Sequence, residues 1–200
     1  MKRLSPLLLR HCGNLAVIIY VTTVIAGGLL FPHYSHFSDA ISELTGSHSP
    51  IRNVLNPFFL IYNVFLALFA YGLFNTWIDK RTKAAAMLIM VTAVASIFMW
   101  RFPMDSKGYT VTSDGIIHIV LASIESVCTI LATILAGLGV RRYSKRIALA
   151  SFLLSLIIAV TGISAGILTA QNSPISGLFE RVTIGTFLLW VLLVARIKPE

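Results

Sequence analysis

Asp114, His118 and Glu125 stand four and then seven residues apart, a spacing that places all three on one face of an α-helix. A carboxylate and an imidazole on one face can hold a metal ion or pass a proton, and Asp105 is near enough in sequence to join them. A second set carries both charges: Arg101, Glu125, Glu180 and Arg181. Guanidinium presents a planar fork of donors that matches a phosphate group, and two glutamates can balance two arginines. Ser42, Glu43 and Asn53 complete the candidates. Ser42 is the nucleophile available to a metal-free hydrolase, with His118, Asp105 and Asp114 as its acid–base partners. Glu43 and Asn53 join the ligand-binding set. His33, His36 and His48 are further metal donors, although loop histidines are usually solvated. The chain has no His-Glu-x-x-His, no close cysteine pair and no phosphate-binding glycine loop, and its one Gly-x-Ser-x-Gly, at 162–166, lies inside a long apolar run and not at a strand-to-helix turn. The usual zinc-protease and nucleotide chemistries therefore lack their motifs, the hydrolase one lacks its strand-to-helix setting, and the sequence specifies neither a metal nor a cofactor.

The elements that position these residues follow from composition. Of 200 residues, 56% are apolar and 12% charged, with a mean hydropathy of +0.84. Soluble domains carry about 25% charge and about 45–50% apolar residues, so an ordinary globular protein, a disordered chain and a disulfide scaffold are excluded. A membrane-crossing helix needs ~20 apolar residues. Six runs qualify, at 13–31, 57–77, 84–100, 116–140, 147–170 and 176–195. The expected fold is all-α, a polytopic bundle of six transmembrane helices forming a single domain over residues 1–200. The first run is longer than the core of a secretory leader and reads as a span.

Charge sets the direction. Twelve of the sixteen Lys and Arg residues fall in the N-terminus, the second and fourth loops and the C-terminus, including Lys2, Arg3 and Lys198. Only Arg52, Arg101, Lys107 and Arg181 fall on the other side. The positive-inside bias then puts both termini in the cytoplasm. Basic residues at the ends of apolar runs are topogenic, not a nucleic-acid footprint, so the expected partners are the lipid bilayer and a lipid or small polar ligand on the outer side. Asp79 and Glu200 are the cytoplasmic acids, and the other six acids, with four of the five histidines, lie outside or in the outer leaflet.

Depth singles out the charged set. At 1.5 Å per residue, Arg101 lies ~27 Å from Lys83, and Glu125 and Glu180 lie ~24 Å from Arg141 and Arg196. All three reach the outer edge of a hydrocarbon core ~30 Å thick. Charges there are costly and must face inward and pair. Arg101 with Glu180 and Arg181 with Glu125 is the simplest pairing. In the long outer loop 32–56, Phe37, Ile41 and Leu44 repeat at helical spacing, with Ser38 as cap and Gly46 as stop, so a short amphipathic helix is expected there.

Two echoes hint at repeated hairpins. Phe31-Pro32 followed by Ser38-Asp39-Ala40-Ile41 resembles Phe102-Pro103 followed by Ser113-Asp114-Gly115-Ile116, and Ser49-Pro50-Ile51 resembles Ser173-Pro174-Ile175. Each Ser-Pro can be read as an N-cap and first helical residue for spans two and six. Cys12 and Cys128 sit in different spans and read as thiols, not as a bridge.

Ser42-Glu43-Leu44, Pro50 and Asn53, Phe102-Pro103-x-Asp105, His118-x-x-x-Ala122 and Gly177-Leu178-x-Glu180-Arg181 together resemble the six-span prokaryotic membrane family known as domain of unknown function 998. The resemblance covers nearly the whole chain. Thr45 departs from it, standing where the family pattern has glycine, with Gly46 one residue later. The resemblance implies a multi-pass protein of the prokaryotic plasma (inner) membrane with no established activity. A more distant similarity to six- or seven-span lipid-active hydrolases is one of fold alone. The leading expectation is an outer-leaflet pocket, closed by the loop helix, that binds a lipid headgroup or other small polar ligand. The alternatives are an intramembrane lipid or amide hydrolase, metal-dependent or not, and a proton-coupled transporter.

Overall fold

The computed structural model describes residues 6–106 and 109–197; Lys2, Arg3, Lys107, Lys198 and Glu200 lie outside the described residues. Six α-helices follow one another: α1 (Pro6–Leu30), α2 (Arg52–Thr76), α3 (Lys80–Met99), α4 (Ser113–Val140), α5 (Lys145–Ala170) and α6 (Ser176–Ala195). No strand occurs among the described residues. All six helices are long and apolar enough to cross a membrane, and large apolar side chains such as Leu29, Leu156 and Ile163 face outward from them. The protein is a multi-pass membrane protein.

Each helix packs on its neighbours in sequence, and α6 returns to α1, so the bundle is a closed ring in the order of the chain. The α1–α6 seam is its thinnest contact. The α1–α2 pair is close because side chains of one helix lie where the other has none: Phe69 covers Gly13 and Leu9 covers Gly72, the small-residue contact common between membrane helices. Polar bonds stitch the later helices. Trp190 Nε1 donates to Ser151 Oγ at 3.1 Å, Thr183 Oγ1 donates to Thr161 Oγ1 at 2.8 Å, and Ser155 Oγ donates to the Ile130 carbonyl at 3.3 Å. Cys12 and Cys128 are both buried and form no disulfide.

One end of the ring carries only short turns. There Asp79 caps α3 by accepting from Arg81 N at 2.8 Å, Ser144 caps α5 by accepting from Ile147 N at 3.3 Å, and Arg142 lies 3.8 Å from Asp79. The opposite end, called here the long-loop face, carries segments 31–51, 100–106, 109–112 and 171–175. The last is a Schellman turn: Asn172 adopts φ 53°, its N–H bonds to Thr169 O at 3.0 Å, and Ser173 N–H bonds to Leu168 O at 2.9 Å.

Three local expectations need correction. Ser49 and Ser173 do not cap α2 and α6; Ile51 and Ile175 hold those positions, with φ/ψ of −107°/3° and −118°/7° and no side-chain cap. Proline holds the serine before it out of the helical region, so a turn forms first, closed by Arg52 N to Ser49 O at 3.4 Å and by Ser176 N to Ser173 O at 3.3 Å. The Ser-Pro-Ile echo is thus a shared backbone conformation, and it starts α2 well before residue 57. Ser38 does not cap the loop helix either. Asp39 accepts from Ser35 N and donates its own N–H to Ser35 O, both at 2.8 Å, which holds residues 35–39 in turns. The chain then enters a 3-10 helix, Ile41–Thr45, with Ala40 as its N-cap and Gly46, in extended backbone, as its C-cap. The Ser-Asp echo shares no such conformation, since Ser113 is already inside α4 and Thr112 is its cap.

Candidate functional site

The segment 34–42 is fastened to the first two turns of α6. Ser176 Oγ donates to Ser38 O and Leu178 N donates to Phe37 O, both at 2.9 Å. Gly177 passes so close to the Asp39 carbonyl that any Cβ would collide with it. The Glu180 carboxylate accepts from Ile41 N at 2.5 Å and from Ser42 N. These amides open the 3-10 helix and have no partner within it, so Glu180 caps it from another element. Arg181 completes the attachment: Nε donates to His36 Nδ1 at 3.2 Å, Nη1 to Asp39 O at 2.7 Å and to Gly177 O at 2.9 Å, and Nη2 to Tyr34 OH at 2.5 Å. Four of its five N–H donors go to this segment and to its own helix. Burial, and secondarily the Arg181 charge, lower the His36 pKa, which keeps Nδ1 free to accept. Burial raises the Tyr34 phenol despite Arg181, so its hydroxyl remains a donor, to Ala40 O at 2.8 Å.

The stretches 102–106 and 109–112 are fastened to α4 in a parallel way. Asp105 accepts from Thr112 N and Thr112 Oγ1, both at 2.8 Å, and these two bonds lower its pKa. Asp105 lies against Gly115, where a Cβ would meet its carboxylate. Buried His118 places Nδ1 2.9 Å from the Phe102 carbonyl; a carbonyl only accepts, so Nδ1 carries the proton and Nε2 the lone pair. The two segments interlock. Ser47 N donates to Met104 O and Ser42 Oγ to Met104 Sδ, both at 2.9 Å, and the His48 and Tyr109 rings stack at 3.8 Å. Gly46 lies against Met104 O and Glu43 O, each 3.3 Å from where a Cβ would stand. Residues 34–48, 102–106 and 109–112 therefore form one lid over the long-loop face.

Arg101 stands outside this lid, beside Arg52. The two guanidinium-bearing residues line a cavity of about 390 Å³ at the long-loop ends of α2 and α3, with Ile97, Phe98 and Trp100. Arg52 Nη2 donates to Trp100 O at 2.7 Å, and Arg101 lies 3.3 Å from Asp114 with its side chain 73% exposed. Among the described residues no carboxylate lies within ion-pair distance of Arg52. The set of two cations and one anion keeps a net positive charge, above an apolar wall at membrane depth. A smaller cavity, about 130 Å³, opens in the α1–α6 seam between Tyr20 and Arg181.

Arg101, Glu125, Glu180 and Arg181 do not form the single ion-pair cluster expected of them. In the ring α3 stands opposite α6, so Arg101 meets Asp114 while Glu180 and Arg181 turn to the lid. Glu125 accepts from Ser96 in the bundle interior. Asp105, Asp114, His118 and Arg101 gather at the start of α4. Ser42 faces Met104, not His118, which leaves it without a base in contact. Glu43 accepts from Ala40 N at 3.5 Å, and Asn53 is exposed on the first turn of α2. Among the described residues no three His, Cys, Asp or Glu side chains are grouped to hold a metal ion. Arg52 is the residue that sequence reasoning left out. Its signal was its place two residues after Pro50 at the start of a span, on the same side of the charge count as Arg101.

The model of the family described as Protein of unknown function (DUF998) matches residues 14–197, and the chain belongs to that family. No curated protein and no solved structure matches it.

Proposed function

For this member of the family, we propose an integral membrane protein of the prokaryotic plasma membrane that binds the phosphate of an anionic phospholipid in the outer leaflet, at Arg52 and Arg101. The observation that carries the reading is the cavity between those two residues, which joins unneutralised positive charge to an apolar wall. Two guanidinium forks can bracket a phosphate, Trp100 belongs at the depth of the headgroups, and Ile97 and Phe98 lie where an acyl chain would run. Arg181 is excluded from this role because its donors hold the lid. The reading includes the orientation, with both termini cytoplasmic and residues 1–200 acting as a single domain, since it requires the long-loop face to be outside.

Native mass spectrometry after equilibration with phosphatidylglycerol or phosphatidylcholine tests it. Each exposed arginine–phosphate contact is worth about 1 kcal/mol, so Arg52→Gln/Arg101→Gln should weaken phosphatidylglycerol retention roughly 30-fold and phosphatidylcholine retention less, because the choline ammonium opposes the same positive charge. Equal retention of phosphatidylglycerol by the wild type and the double variant would refute the reading.

A further inference from the structure

The centre of the ring is polar some 15–18 Å below the long-loop ends of the helices, as counted along α1, α2 and α4. Glu125 projects there from α4. One of its oxygens accepts from the Ser96 hydroxyl of α3, while Oε1 is buried and has no hydrogen-bond partner. Tyr20 of α1 and Tyr62 of α2 lie within electrostatic reach of this carboxylate, and their rings meet edge to face at 4.8 Å. Asn63, 1% exposed, donates Nδ2 to Phe59 O at 3.0 Å and leaves Oδ1 buried without a partner.

Glu125 Oε1 is an acceptor, so what would complete it is a donor. Among the described residues no cation lies within ion-pair distance of Glu125, and Arg181 is committed to the lid. A carboxylate in such a setting is stabilised by a partner that brings positive charge as well as N–H groups. Aromatic rings beside it favour the same partner through cation–π attraction. The α1–α6 cavity gives the approach, since it reaches Tyr20 between apolar walls that include Val24, Ile184 and Leu188; Arg181 also lines it, with its guanidinium bonded to Tyr34, His36, Asp39 and Gly177. Gly185 leaves that wall open, with nothing within 4 Å of where its Cβ would be. An apolar doorway before an acidic, aromatic centre suits an ammonium group on an apolar tail better than a hydrated metal ion.

We propose that Glu125, with Tyr20 and Tyr62, binds the ammonium group of an amphiphilic primary amine that enters between α1 and α6. This site is independent of Arg52 and Arg101. The test is thermal melting of the full chain in detergent with n-butylammonium chloride, and with n-butanol or sodium chloride at matched concentration. Butylammonium should raise Tm saturably, on the order of 5 °C, in the wild type and in Arg52→Gln/Arg101→Gln, and not in Glu125→Gln. A shift of equal size in Glu125→Gln, with butanol or with sodium chloride, or no shift in the wild type, overturns the proposal. Modification of Glu125 by a hydrophobic carbodiimide, read by peptide mass in the wild type, gives a second measurement that needs no variant. Butylammonium should slow that modification at least tenfold, and an unchanged rate would contradict the site.

Discussion

Replacing Arg181 by alanine removes the hydrogen bonds that tie Tyr34, His36 and Asp39 to α6. Hydrogen bonds to a charged group contribute about 1.5–3 kcal/mol each when buried, but the side chain is only half-buried and water can replace part of what is lost. A net loss of about 3 kcal/mol is the reasonable scale, and it falls on lid opening, because Arg181 makes these bonds to the lid. At 1.4 kcal/mol per tenfold, amide exchange in residues 39–43 should accelerate roughly 100-fold in Arg181→Ala. Exchange in the α3 and α4 interiors should be unchanged. Arg181→Lys keeps the charge and forfeits the fork, so it should recover only a minor part of the protection. Hydrogen exchange with mass readout on the detergent-solubilised protein measures all three. Unaltered exchange at Ile41 and Ser42 in the alanine variant would refute the assignment of Arg181 as the lid fastener.

Gly177→Ala should lower Tm by several degrees, since its Cβ must displace the Asp39 carbonyl and overpacking costs about 1–3 kcal/mol; Gly185→Ala, facing open space in the same helix, should leave Tm unchanged or raise it, and paired melts decide. Lid protection should fall as pH drops below the ordinary histidine range. The folded-state pKa of His36 is depressed, so the unfolded chain takes the proton first and stability above about pH 7 is unaffected. Exchange over 34–41 at pH 7.5 and 5.5, corrected for the intrinsic rate, should show this in the wild type and lose it in His36→Asn. With Cys12 and Cys128 replaced, an impermeant thiol reagent applied to intact cells should label Ser47→Cys and not Ser144→Cys; the reverse pattern would invert the orientation.

The spans were legible because hydrophobic runs of this length allow only one kind of element in a bilayer, and α3, α5 and α6 end within a residue or so of the apolar runs. The starts of α1 and α2 were not, because helices continue past apolar runs: α1 includes Arg10 and His11, and α2 begins at Arg52 and carries Pro57 in its second turn. Arg101, Glu180 and Arg181 do lie near the long-loop ends while Glu125 sits ~18 Å down α4, and the partners of none of them were readable. Depth comes from counting along a helix, whereas pairing depends on which helices are neighbours, and periodicity does not contain that order. Hence Arg101 and Glu180, similar in depth, stand on opposite sides of the ring. The run Gly177-Leu178-x-Glu180-Arg181 reads in sequence as a ligand-binding motif and acts in the structure as a docking surface for the chain's own loop. No single-helix pattern distinguishes a carboxylate that meets a ligand from one that caps a 3-10 helix more than a hundred residues away.

The central claim, a lipid phosphate held between Arg52 and Arg101, is tested most directly by solid-state NMR in phosphatidylglycerol bilayers, with guanidinium ¹⁵N labels and dephasing by the lipid ³¹P. The account predicts dephasing that corresponds to a nitrogen–phosphorus distance of about 4 Å, as a charge-assisted hydrogen bond requires, present in the wild type, lost in Arg52→Gln/Arg101→Gln and retained in Arg181→Gln. Dephasing that persists in the double variant and disappears in Arg181→Gln would move the phosphate to the α1–α6 seam and contradict the claim.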